Sequence, residues 1–247
     1  GTNKSDNNAQ AYSDKKYMEC VRASLKTAEF GFFFIPGIGN QSDIKLLAEN
    51  GGRFIRMGVS YESFPKAKKY LTLSKKLNLK CWINLMKSYA YTVEEFGQLA
   101  KMAFLEGASG VYLVDSAGGM MPKDVYSYIN KAADVLFKEG AKDFDLGFHG
   151  HENLSLGIGC SLAALEAGAT IVDGSLLGIG RSIGNSAIET LAMVFDRYGY
   201  DTGVDPWSLS DLAQETIKPY LVNRWRNSSL EQASGYKQIH STEIDKI

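Results

Sequence analysis

The residues best suited to chemistry in this chain are two histidines spaced two apart, His149 and His151, in the run Gly147-Phe148-His149-Gly150-His151-Glu152-Asn153. Successive side chains of a β-strand point to opposite faces, so positions i and i+2 share one. Asp145, Gly147, His149 and His151 fall on one face, and Phe144, Leu146 and Phe148 on the other. The bulky apolar face needs helices over it, which turns the histidine face toward an interior. Two neutral imidazoles converging there can chelate Mn2+, Zn2+, Fe2+ or Co2+, with oxygen ligands and water completing the sphere. The plain alternative is a pair of unrelated polar residues at a strand end, but the whole chain has three histidines, so this spacing by chance is uncommon. Gly150 between them leaves room for a ligand or another chain to come close.

Other polar residues sit where strands should end. Asp115 and Ser116 close the run Gly110–Asp115. A carboxylate there can hold an imidazole or orient a substrate, and can equally serve as a helix cap. Asp173 and Ser175 share one face of a later run. The segment from Gly178 to Asn185 is a glycine-rich loop leading into a helix, a shape that exposes backbone N–H groups to a carboxylate or phosphate but also fits an ordinary turn. Arg56 stands alone among apolar residues, so it must be ion-paired or face an opening where it clamps a carboxylate.

The elements that would position these residues repeat one phrase: a β-rich apolar run, a turn, then an amphipathic helix. The strand runs are 30–38, 53–59, 79–86, 110–115, 144–149 and 170–177, and the helices 42–49, 65–77, 93–105, 123–137, 156–167 and 187–198. Thr92 with Glu95 has capping-box spacing, and Gly51, Gly107, Gly140, Gly168 and Gly199 stand where helices should stop. A further helix is expected near 15–26 and another over 206–220. Repeated β-then-α units predict a parallel sheet covered by helices. Polar residues clustered at several strand ends favour a (β/α)8 TIM barrel over an open doubly wound sheet, with about six of the eight βα units visible. Residues 1–200 are then the barrel and 201–247 a helical extension.

Composition narrows the classes. A net charge of -1 supplies no basic excess for nucleic acid. No apolar run reaches the roughly 18 residues of a membrane span, and the polar start, residues 1–14, does not read as a secretory signal. Cys20, Cys81 and Cys160 have no CxxC spacing, which predicts three buried, reduced thiols in a cytoplasmic protein.

Taken together, GFHGHENLSLGIG, LEAGATIVDGSLLGIGRSIGNSAIE, IPGIG and VYLVDSAGGM resemble the 4-hydroxy-2-oxovalerate aldolases, one branch of the barrel metallolyases that include hydroxymethylglutaryl-CoA lyase, isopropylmalate synthase and homocitrate synthase. The similarity runs in order from about Phe33 to Tyr220. It implies a divalent metal, most simply Mn2+ with Mg2+, Co2+ or Zn2+ as alternatives, held by His149 and His151. It implies substrate contacts at Asp115, Ser116 and Asn185, and acid–base roles for Tyr236 and His240. The implied reaction cleaves or forms a C–C bond in a 4-hydroxy-2-oxoacid, giving pyruvate and an aldehyde. An acylating aldehyde dehydrogenase is the implied partner, with a homo-oligomer also possible. Two departures matter. The strand ending Thr-Leu-Arg-Asp-Gly, which gives those enzymes a third metal ligand and an arginine, does not occur in this sequence, and Glu152 stands where the aldolases have a histidine. These departures keep open a catalytically impaired or regulatory barrel. An acyl-CoA-dependent synthase is a further alternative, although the PGIG and DSAGG segments lean toward the aldolases.

Overall fold

The structure, a computed structural model, describes residues 13–221 and 229–246. The polar start read above lies outside them as far as residue 12, as do 222–228 and 247 of the extension.

Six strands form one parallel sheet in chain order: β1 (Gly31–Phe34), β2 (Phe54–Val59), β3 (Lys80–Leu85), β4 (Gly110–Asp115), β5 (Asp145–Gly150) and β6 (Ile171–Val172). Helices alternate with them. A leading α1 (Asp14–Ser24) is followed by α2 (Gln41–Glu49), α3 (Phe64–Lys76), α4 (Val93–Leu105), α5 (Pro122–Lys138), α6 (Gly157–Glu166) and α7 (Ile188–Arg197). This is the expected βα repeat, and it makes a partial TIM barrel: strand order follows the chain, and the two edges, β1 and β6, do not meet. Beyond it lie α8 (Pro206–Thr216) and α9 (Ser229–Tyr236).

Local chemistry explains the element ends. Thr92 accepts from the Glu95 N–H while the Glu95 carboxylate accepts from Thr92 N–H, the reciprocal cap that starts α4. Gly51, Gly107, Gly140, Gly168 and Gly199 all have positive φ after their helices, as the spacing required. The outward sheet face carries the core: Ile55, Met57, Ile83, Val111, Leu113 and Phe148 are fully buried against the helices.

Three expectations need correction. The last strand was expected over 170–177 but pairs through Ile171 and Val172 alone, because Gly174 packs against Ile188 and Leu191 of α7 and the chain turns into a 3-10 segment at Leu176. The first strand stops at Phe34, before the turn around Pro36 and Gly37, rather than running to Ile38. Cys20 is exposed on α1; Cys81 and Cys160 are buried as expected, and burial raises both thiols to about 12.

Candidate metal centre

Two tiers of side chains fill the inner sheet face. In the lower one, Trp82 Nε1 donates to Asp145 Oδ2 at 2.9 Å and Thr170 Oγ1 donates to Asp145 Oδ1 at 2.9 Å, with the Phe54 ring edge-on to Trp82. A Cβ at Gly110 would lie 2.6 Å from Trp82, so glycine there lets the indole cross the sheet. This tier closes the floor with satisfied polar groups.

The upper tier is built around Arg56. Its guanidinium lies 3.8 Å over the Tyr112 ring, and Nε donates to Asn84 Oδ1 at 3.2 Å. Nη1 meets both oxygens of Asp173, at 2.7 and 2.6 Å. Of the two roles read for Arg56, the structure shows the ion pair. The other side of Asp173 holds His149, Nδ1 to Oδ2 at 2.8 Å. Burial alone would raise the Asp173 carboxyl, but the His149 hydrogen bond and the Arg56 charge outweigh it and hold it below the usual range. An ionised Asp173 then accepts from His149 Nδ1–H and leaves the Nε2 lone pair available, the way a carboxylate orients a metal-binding imidazole. Gly147 completes the tier: a side chain there would strike the Tyr112 ring at 2.5 Å.

His151 shares this face. The two imidazole centroids are 5.2 Å apart with planes at 82°. A metal–nitrogen bond of about 2.0–2.1 Å places each ring centroid about 3.2 Å from the ion, so two ligands at tetrahedral to octahedral angles have centroids about 4.5–5.2 Å apart. The observed spacing falls at the upper end of that span. His151 Nδ1 is buried without a hydrogen-bond partner, and so is Asn185 Oδ1, whose backbone forms a β-bridge with His151. Burial, then the nearby His149 and Arg181, lowers His151 to about 3, so it is neutral and able to ligate across the ordinary pH range. The donor set therefore fits a divalent ion as two of its ligands. Among the described residues no group of three His, Cys, Asp or Glu side chains converges on one point.

The other residues read from the sequence divide by place. Asn185 lies beside the pair, its Nδ2 donating to Ile179 O at 3.0 Å. Asp115 falls on the opposite strand face from Tyr112 and Val114 and turns back on its own loop, accepting from Gly119 and Met120 N–H. Ser116 Oγ accepts from Lys87 N–H at 3.0 Å. Ser175 Oγ donates to Ile179 O. Gly150 makes room for the Phe148 ring rather than for a ligand: a Cβ there would lie 2.8 Å from Phe148 Cε1. Tyr236 is 80% exposed at the end of α9, whereas His240 touches Arg181 and Thr242.

The sequence reading passed over Asn84, Tyr112 and Arg181. The first two carry a signal after the fact: each sits two positions from another inner-face residue, Trp82 and Val114, in its strand. It also passed over Asn153 as a structural tie; its amide donates to Ser182, Glu231 and Ser234 and binds α9 to the loop.

Comparison with known proteins agrees with this architecture. A family model described as HMGL-like matches residues 53–215. 4-Hydroxy-2-oxovalerate aldolase 1 of Azoarcus sp. is 33% identical over 93% of this chain and 65% of its own length. The 4-hydroxy-2-oxovalerate aldolase of Carboxydothermus hydrogenoformans is 36% identical over 85% of this chain and 61% of its own. The chain thus spans less than two thirds of the length of these relatives. Among solved structures, HMG-CoA lyase of Bacillus subtilis superposes with a TM-score of 0.67 at 20% identity, covering 81% of this chain and 74% of that one. The carboxyl transferase domain of Rhizobium etli pyruvate carboxylase gives 0.71 at 14%, covering 93% and 38%. The family match covers most of the chain, and with a partial barrel whose inner face carries the histidine pair, the protein belongs to the HMGL-like family.

Proposed function

We propose that this chain forms the barrel of a divalent-metal-dependent C–C lyase that cleaves, or in reverse forms, a 4-hydroxy-2-oxoacid, giving pyruvate and an aldehyde. The observation that carries the proposal is the histidine pair, at chelating separation and with one ring fixed by Asp173. The names of its relatives support the substrate class. A bound divalent ion would supply Lewis-acid stabilisation of the negative charge that builds on the keto oxygen during cleavage.

This chain's own residues have separate tasks. His149 and His151 hold the ion. Asp173 and Arg56 keep His149 oriented. Asn185, whose buried Oδ1 has no hydrogen-bond partner, would contact ligand or ion. Asp115 and Ser116 shape the loop at the end of β4, and through it the wall of the site. His240, which burial first and then Arg181 and Lys87 lower to about 4, is neutral at working pH; an acid–base role would need the anionic substrate to offset those two cations. Tyr236 would need to turn inward to share that work. Mn2+ as the ion, a cytoplasmic location, an acylating aldehyde dehydrogenase partner, self-association, and the division into a barrel over 1–200 and an extension over 201–247 belong to the same proposal.

The second reading is a barrel that keeps the fold without turnover. It is favoured by one observation: two imidazoles stand without a third protein ligand among the described residues. Metal analysis of the purified protein, with exchange of pyruvate methyl protons followed in deuterated water, separates the two. Bound metal with exchange supports the lyase; no bound metal and no exchange removes it.

A further inference from the structure

Three cationic side chains lie in or beside the open end of the sheet, and their charges are met differently. Arg56 is paired with Asp173 at 2.6 Å. Lys87, just beyond β3, is paired with Glu243 at 2.7 Å. Arg181, in the glycine-rich loop between β6 and α7, has no carboxylate within salt-bridge distance among the described residues.

The contact Arg181 does make is with an imidazole. Nη1 reaches both His240 ring nitrogens, Nδ1 at 3.3 Å. That ring is neutral at ordinary pH and cancels none of the charge. Glu231 lies near enough to favour the Arg181 charge but outside salt-bridge distance, and its carboxylate accepts from Ser182 and Asn153. The loop that carries Arg181 lies against the ligand strand: Asn185 bridges His151, Glu152 N–H donates to Gly184 O at 3.1 Å, and Gly184 N–H donates to Arg181 O at 3.1 Å. The result is a guanidinium beside the ligand strand, held at one nitrogen, with no hydrogen bond from Nε or Nη2 among the described residues. The loop that carries it is pinned by the Ser182–Glu231 and Asn153–Ser182 contacts, so its position is set before anything binds.

We propose that Arg181 is the anion-binding residue of this site and takes the carboxylate of a small 2-oxoacid held beside His149 and His151. The inference rests on the lyase reading. Arginine suits the role because its planar fork matches a carboxylate with two parallel N–H donors. A 2-oxoacid is an anion at neutral pH, and the other two cations of this region already have partners. Arg181 would therefore select acids over neutral ketones of the same shape.

The test compares pyruvate with its neutral analogue pyruvamide by titration calorimetry on the Co2+-loaded protein. Arg181→Gln should leave Co2+ affinity within about twofold, weaken pyruvate about tenfold or more, and remove most of the preference over pyruvamide. Arg181→Lys should recover part of it. Unchanged pyruvate affinity and preference in Arg181→Gln overturns the inference while the lyase reading stands. Wild-type protein that binds Co2+ but no pyruvate overturns both. A wild-type measurement covers a variant that fails to fold: phenylglyoxal should modify Arg181, and pyruvate with Co2+ should protect it. Modification undiminished by saturating pyruvate overturns the inference.

Discussion

Asp173 is the residue on which the site turns, because it meets a guanidinium on one side and an imidazole on the other. Asp173→Asn removes the charge and keeps the shape. Loss of such a supporting carboxylate should weaken Co2+ binding about 10- to 100-fold. It also strands Arg56 in a pair whose side chains are less than one-fifth exposed, at a cost of about 3 kcal/mol. Calorimetry and urea unfolding measure both effects; unchanged metal affinity would mean that His149 is oriented by something else. His151 gives a pH signature in the metal-free protein. Its folded value of about 3 lies below the 6.5 of an ordinary histidine. As pH falls, the unfolded chain takes up this proton first, so the contribution to stability is complete above about pH 6.5 and is lost toward pH 3, at up to about 1.4 kcal/mol per unit. His151→Asn should therefore lose less stability than wild type between pH 7.5 and 5. Equal losses would show that His151 is not held neutral by burial.

At the scale of elements, the docking of α9 depends on glycines rather than on large side chains. A Cβ at Gly119 would lie 2.0 Å from Gly235 O, and one at Gly235 would lie 2.8 Å from Asn153 Cβ. The backbones meet so closely that Asn153 can reach Ser234 and Glu231 at once. Gly119→Ala should push α9 away and speed amide exchange over Ser229–Tyr236, with the exchange of β3 and β4 unchanged. Protection of α9 equal to wild type would contradict the close approach. The helix caps and βα units were legible from local residues: Thr92 and Glu95 are three apart, and the glycines after the helices need only their own φ. The docking of α9 was not, because residues 119, 153 and 235 come together only through the fold.

At the scale of the whole molecule, the sheet formed by the described residues is open and β1 is one edge. Phe33 points to the inner face opposite Arg56, with its ring over Gly58, and remains 51% exposed. An edge strand with an exposed aromatic ring invites pairing with another chain. Phe33→Lys should lower concentration-dependent association of this 247-residue chain, as measured by light scattering, without lowering its melting temperature. Association that persists unchanged would place the contact elsewhere.

The sequence alone determined the βα repeat and the shared face of His149 and His151. Both follow from local rules, namely the period of two along a strand and the residues that start and stop helices. Tertiary structure decided which charges meet. Arg56 and Asp173 are 117 positions apart and join because β2 and β6 turn them into one interior. Asp115 goes to its loop for the complementary reason: it falls on the outward face of β4, and a buried carboxylate takes the nearest N–H groups. Arg181 was unreadable because its meaning lies in which carboxylates fail to reach it, and only a folded chain fixes that.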